Sequence, residues 1–402
     1  MRRIPLLLLC SLGLAVAHHA EAQVVRVSKG AGGKVSINWS QFGASRTAAG
    51  TAFLKTVQDD LLKSGWFVPA GAGAAFTLVG QGNDSGSSLD VKCTVYDANS
   101  QQMRLNKGYR AAANDARRLA HQVADEIVEA ITGRKGIASG RLVVVGNRTG
   151  HKELYLCDYD GQGLAQLTKD GNISLEPKWG PDGDTIIYTA FLKRYPDVYT
   201  VSVSSGARKR IAGYPGLNAG GAISPSGREA ALVLSKDGGT DLYIKNLKTD
   251  ELFRLTRSPK AAEASPSWSP DGSQLAYVSD QSGSPQIYVI ARSGGTPRRL
   301  TSRGSENVAP DWGPAGLIAY ASRLGGAYQV FVLDPNTLDS KQVSPGDASY
   351  EDPCWAPDGR HLAAARVVQY RAKIYLLDTL GDAPIALLDT QGDWYSPAWS
   401  PR

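Results

Sequence analysis

Sulfur and histidine are scarce in this chain, with four Cys, two Met and five His among 402 residues. Long apolar runs are missing too. The stretch Ile4–Ala17 holds fourteen residues, and no later segment reaches the roughly 18 that a membrane-crossing helix needs. There is no basic tract of the kind that binds nucleic acid. No G-x-S-x-G occurs, so the nucleophile elbow of an α/β-hydrolase is absent. What abounds is Gly (44), Pro (21), Tyr (17) and Trp (8), a composition suited to many short strands joined by tight turns.

The N-terminus reads as a secretory signal. Arg2 and Arg3 precede the apolar stretch, and Ala20-Glu21-Ala22 offers a small-residue cleavage site, which places the mature start at Gln23. Leu9 stands where a lipoprotein signal would want a small residue before Cys10, so no lipid anchor is expected. The expectation is an exported, periplasmic protein with no transmembrane segment in its mature part. Cleavage leaves Cys93, Cys157 and Cys354, too few and too scattered for a disulfide framework, although the compartment would permit one. It also leaves His121, His151 and His361, no two of them near in sequence, which argues against a histidine-based metal site. Residues 23–136 carry 14 Lys+Arg against 9 Asp+Glu, whereas residues 137–402 carry 28 of each, so the positive excess belongs to the first third.

A repeat fills the rest. Tyr155, Tyr199, Tyr243, Tyr288, Phe331 and Tyr375 follow one another at spacings of 44, 44, 45, 43 and 44. Twelve residues after each comes an aliphatic residue: Leu167, Ile211, Leu255, Leu300, Val343 and Leu387. A third line is built on tryptophan followed by a Pro-Asp-Gly turn, at Trp179, Trp268 and Trp355, with shortened or degraded copies at Trp312, Ile223 and Trp399. Each period therefore reads as four strands, the arithmetic of a β-propeller blade. The tryptophan copy expected near position 135 is missing, and Trp399 is left over at the other end. Residues 141–402 are thus expected to form a six-bladed propeller closed by the C-terminal strand, since closure removes exposed sheet edges. The five tryptophans are read as packing between blades, and Asp182, Asp271 and Asp358 as turn residues.

Residues 23–136 read as a small α/β domain. Strands are expected at Val24–Val27, Lys34–Trp39, Trp66–Val68, Phe76–Gly80, Leu89–Tyr96 and Met103–Tyr109, with Gln81–Ser88 as a turn region. Helices are expected around Ala44–Ser64 and Asn114–Thr132, the second ending at Gly133. Arg134–Gly140 would be a short, restrained linker.

The order of these parts resembles the TolB family of the Tol–Pal system. Particular stretches carry the likeness: Asp60–Phe67, Ala124–Gly133, Tyr155–Gly161, the Thr132–Gly136 junction and the closing Ser396–Pro401. The resemblance implies an adaptor without catalytic activity or cofactor. It implies that the lipoprotein Pal docks on propeller loops leading into the tryptophan strands, and that TolA engages the N-terminal segment, here Val24, Val25, Arg26 and Val27, with other envelope proteins as further partners. Candidate Pal contacts are Glu176, Leu217, Asn218, Glu263, Ala264, Glu306, Glu351 and Asp352. Leu217 departs from the family's usual residue at that place. Read from the residues alone, the five acids of this set could ring one mouth of the propeller. There they would receive Lys/Arg groups or hold a hard cation; alternatively, each accepts local backbone N–H bonds. A free-standing propeller that binds a small ligand or metal, of the lactonase-like kind, is the rival reading.

Overall fold

The computed structural model describes residues 33–258 and 260–401, so the expected signal peptide and the Val24–Val27 segment lie outside the described residues. Two bodies share one core.

The first begins with β1 (Val35–Ala44), α1 (Ala48–Lys63), β2 (Phe67–Pro69) and β3 (Phe76–Asp84). It continues with β4 (Ser88–Asp97), β5 (Met103–Ala112) and α2 (Ala116–Thr132). The sheet runs β2-β1-β3-β4-β5, with β1 parallel to both its neighbours and the last three strands antiparallel. Phe53, Val57 and Leu61 of α1 and Leu119, Val123 and Ile127 of α2 recur at helical spacing and are buried with Ile37, Leu78, Val91 and Val95 of the sheet. Burial of each such side chain stabilises by roughly 1.5–3 kcal/mol. The first helix starts later than its periodicity suggests. Ala44 still belongs to β1, and the Thr47 hydroxyl accepts from the Gly50 amide at 3.1 Å to cap the helix at Ala48. Likewise Gln81–Asp84 is strand rather than turn, because pairing continues unbroken to Asp84 opposite Leu89. The second helix stops at Gly133, which takes the left-handed conformation (φ 68°).

The second body is a six-bladed propeller. Five blades each take four consecutive strands, innermost first; Ser174–Trp179, Thr185–Ala190, Asp197–Ser202 and Arg208–Ala212 are one such set. The sixth combines Arg141–Gly146, Glu153–Asp158 and Ala165–Gln166 with Trp394–Trp399 from the far end of the chain, which pairs antiparallel with Arg141–Gly146. The tryptophans work between blades. Trp179, Trp268 and Trp355 donate their indole N–H groups to the carbonyls of Ala398, Ala222 and Asp311, each on the neighbouring blade. The Asp of each Pro-Asp-Gly turn serves its own turn, as with Asp182, which accepts from the Asp184 and Thr185 amides.

The linker between the bodies is held rather than loose. The Asp125 carboxylate accepts the amides of Ala138 and Ser139 at 2.8 Å, and Ile137 and Ala138 are buried in a core that extends from α1 and α2 to Tyr159, Leu387 and Trp399. Polar contacts reinforce it. Tyr159 donates to Asp60, Arg117 to Asp160, and Arg360 lies over the Trp66 ring while bonded to Asp378.

Candidate interaction site in the propeller channel

Strand direction alternates within each blade, so the loops after the first and third strands share one end of the propeller, and those after the second and fourth share the other. Tyr159, Asp160, Arg360, Asp378 and Asp382 all fall in, or border, loops of the first kind. The small domain therefore sits at the tryptophan end. The loops that lead into the tryptophan strands open at the opposite end.

At that opposite end every innermost strand carries a bulge three residues before the tryptophan line. Glu176, Gly220, Ser265, Ala309, Asp352 and Ser396 occupy it, all with φ between 43° and 59°. Five of the six are not glycine, and left-handed backbone of this kind is costly for such residues. The six surround a cavity of about 100 Å³. A wider cavity of about 390 Å³ opens at the tryptophan end, lined by all five repeat tryptophans and by Lys135 of the linker. Lys178, Asp311, Cys354 and Ala398 line both, so the two cavities are the ends of one axial channel.

The expected ring of carboxylates is not assembled. Only Glu176 and Asp352 reach the channel mouth. Glu176 accepts from the Gly220 amide at 3.1 Å, and Asp352 from the Ser396 hydroxyl at 2.7 Å. Desolvation, then the nearby Asp352 charge, holds the Glu176 carboxyl above its ordinary range, with Lys178 opposing. Glu263 is 2% exposed and bonds back to the preceding blade, accepting from the Leu242 amide and from the Thr256 and Ser258 hydroxyls of the loop between the two blades. It lies at the start of its strand, two residues before the bulge position, and its side chain turns to the seam with the preceding blade rather than to the channel. Glu306 stands directly before the innermost strand Asn307–Trp312 and turns outward, drawn below its ordinary range by the Tyr328 hydroxyl and by Arg323, with which it is ion-paired. Glu351 accepts the Ser349 hydroxyl at 2.8 Å, and burial raises it.

Asn218 is fully buried. Its amide ties down the loop before it, donating to the carbonyls of Tyr214 and Gly216 and accepting from the Tyr214 amide. Leu217 is half-buried against the Trp268 core, while Ala264 is exposed. The acids thus divide between loop architecture and the channel, and sequence position relative to tryptophan was the signal that separates them.

A second feature of this end carries no sequence signature. Ile173, Leu192, Tyr195, Leu324, Val368 and Tyr370 are exposed large apolar residues in its loops or at its strand ends, Tyr370 at 94%. Among the described residues only Phe253 and Leu338 are comparable elsewhere on the propeller. They are single residues in separate loops, and no periodicity marks them in the sequence.

Residues 128–402 match the family described as the TolB beta propeller domain. The chain belongs to the TolB family. A TolB homolog of Chlorobium luteolum is 31% identical over 318 residues, spanning 78% of this chain and 71% of the relative. The Tol-Pal system protein TolB of Desulfosudis oleivorans is 31% identical over 186 residues, which are 46% of this chain and 42% of its own length. The crystal structure of TolB from Acinetobacter baumannii superposes with a TM-score of 0.81 at 27% identity, covering 92% of this chain and 97% of that one. Small domain and propeller are therefore both shared with a solved TolB. Among the described residues no helix is long and apolar enough to cross a membrane.

Proposed function

We propose that this chain is a non-enzymatic periplasmic adaptor of the Tol–Pal system, exported by a signal peptide cleaved after Ala22. In this reading the propeller docks the lipoprotein Pal on the end away from the small domain. The N-terminal segment, with Val24, Val25, Arg26 and Val27, engages TolA, and the linkage supports outer-membrane integrity and constriction at division. The observation that carries the reading is the pairing of TolB family membership with an end that gathers exposed apolar side chains around a small acidic channel mouth. Apolar anchors within a polar rim are what protein interfaces use. Glu351, Asp352, Glu306, Leu217 and the exposed Ala264 would meet Pal directly, and Glu176 from within the mouth. Glu263 and Asn218 would contribute by holding their loops in shape.

The test is titration of the mature protein with purified Pal and with the C-terminal domain of TolA. Ala264→Arg and Glu351→Lys should each weaken Pal binding at least about tenfold and leave TolA binding unchanged. Removing residues 23–32 should do the reverse. If neither partner binds the unaltered protein, the adaptor reading fails. The ligand-binding alternative would gain if a hydrolytic activity were found that Glu176→Gln abolishes with the fold intact.

A further inference from the structure

Away from the channel, the junction of the two bodies gathers a second set of chemistry-bearing side chains. His121 on α2, with Asp158 and Asp160 at the end of the Glu153–Asp158 strand and just beyond it, each offer one ligand atom, and the three atoms lie within 4.8 Å of one another. The imidazole is oriented for coordination. Its Nδ1 is 2.7 Å from Asp60, and the other Asp60 oxygen accepts the Tyr159 hydroxyl at 2.6 Å. A carboxylate on one ring nitrogen fixes the tautomer and turns the other nitrogen outward, the arrangement that supports metal-binding histidines. Here the other nitrogen, Nε2, faces the Arg117 guanidinium at 3.4 Å. The same Arg117 nitrogen is 2.8 Å from Asp160 and 3.9 Å from Asp158. A positive group thus already occupies the space among the three donors.

We infer that His121, Asp158 and Asp160 form a binding site for a divalent transition cation such as Zn2+, which enters by displacing the Arg117 side chain. One imidazole and two carboxylates are a donor set for Zn2+ or Mn2+, with water completing the sphere. Bonds of about 2.0–2.2 Å in a tetrahedron separate donor atoms by roughly 3.5 Å, so the cluster must tighten by about an ångström. Asp158, with a side chain 40% exposed, has room to rotate inward, and Arg117, 37% exposed, must give up its bonds to Asp160 and the Thr56 hydroxyl to swing out. Because His121 belongs to the small domain and both aspartates to the propeller, the ion would strap one body to the other.

Chelator-treated mature protein, titrated calorimetrically with ZnCl2, should take up one equivalent. With CoCl2 it should develop the visible absorption of a low-coordinate Co2+ site. Arg117→Ala should bind at least about tenfold more tightly, since the competing cation is gone. Asp158→Asn should bind at least about tenfold more weakly, while its melting temperature in EDTA stays that of the unaltered protein. A purely structural cluster predicts the opposite for Arg117→Ala, a loss of stability with no gain of metal. Absence of stoichiometric uptake by both the unaltered protein and Arg117→Ala overturns the assignment. So does uptake that Asp158→Asn leaves unchanged.

Discussion

Trp399 stands opposite Leu142 in antiparallel register, so the last strand described becomes the innermost strand of the blade that the chain began with Arg141. The pairing is sealed by side chains as well as by the ladder. Trp394 is fully buried with its ring edge-on to Tyr155 at 5.1 Å between centroids, and the Arg141 amide donates to the Ser400 hydroxyl. The propeller is a closed ring only through this contact.

Deleting residues 395–402 should therefore cost far more than trimming a terminus. Truncating one buried Trp alone costs roughly 3–5 kcal/mol, and the deletion also bares the edge of Arg141–Gly146. Thermal melts should show a large fall in melting temperature or loss of the cooperative transition. An unchanged transition would refute the closure.

Gly146 tests the same seam from the other side. It lies opposite Trp394, and a Cβ placed on it would stand 2.3 Å from that indole. Gly146→Val should destabilise by about 1–3 kcal/mol, since a packed interior yields only by shifting rotamers and backbone. Urea unfolding measures it. Gly150→Ala serves as a spatial control, because nothing lies within 4 Å of a Cβ there, although its φ of 89° adds local strain.

At the domain junction, Tyr159→Phe removes the hydroxyl that Asp60 accepts and leaves a buried carboxylate oxygen short of a partner. Such a loss costs about 1–3 kcal/mol. The fully exposed end of Tyr370 makes Tyr370→Phe the neutral comparison. Equal unfolding midpoints for the two variants would mean that the junction contributes little to stability.

The channel mouth should show itself in pH dependence. Glu176 is held above its ordinary value of 4.5 by desolvation and by Asp352. A carboxyl raised in the folded state contributes its stability fully below the ordinary range, and that stability is lost as pH rises through the raised value. Glu176→Gln should accordingly raise the melting temperature at neutral pH, by a small amount because the residue still reaches solvent at the channel mouth. Near pH 4 the two proteins should melt together. A variant that is less stable than its parent at neutral pH would contradict the assignment of Glu176 to a charge-crowded mouth.

Much of the architecture was legible because its causes are periodic. Tyr155 to Tyr375 and Leu167 to Leu387 keep step at about 44 residues, and that spacing alone specifies four strands per blade and six blades. The missing tryptophan before Leu142 and the surplus one at Trp399 likewise implied how the ring closes. Helix α2 could be read from Leu119, Val123 and Ile127, and its end from Gly133, since a helical face and a left-handed stop are local features. Helix α1 starts four residues later than its periodicity predicts, because β1 runs on to Ala44 and the Thr47 hydroxyl then caps the helix.

The site was less legible. Sequence placed Glu176, Glu263, Glu306 and Glu351 in comparable loops, but it could not say which way each side chain turns. A strand sends successive side chains to opposite faces, and a bulge resets that alternation, so a shift of one or two residues moves an acid from the channel to a seam between blades. The exposed apolar residues around the channel mouth come from separate loops that meet only when six blades close. Asp60, His121 and Asp160 are similarly brought together across the junction from segments far apart in the chain. The sequence by itself determined the repeat, the number of blades and the family, since these rest on local pattern and spacing. Tertiary structure alone decided which acids face the channel and which residues the junction unites, because those depend on side-chain direction and on contacts between distant segments.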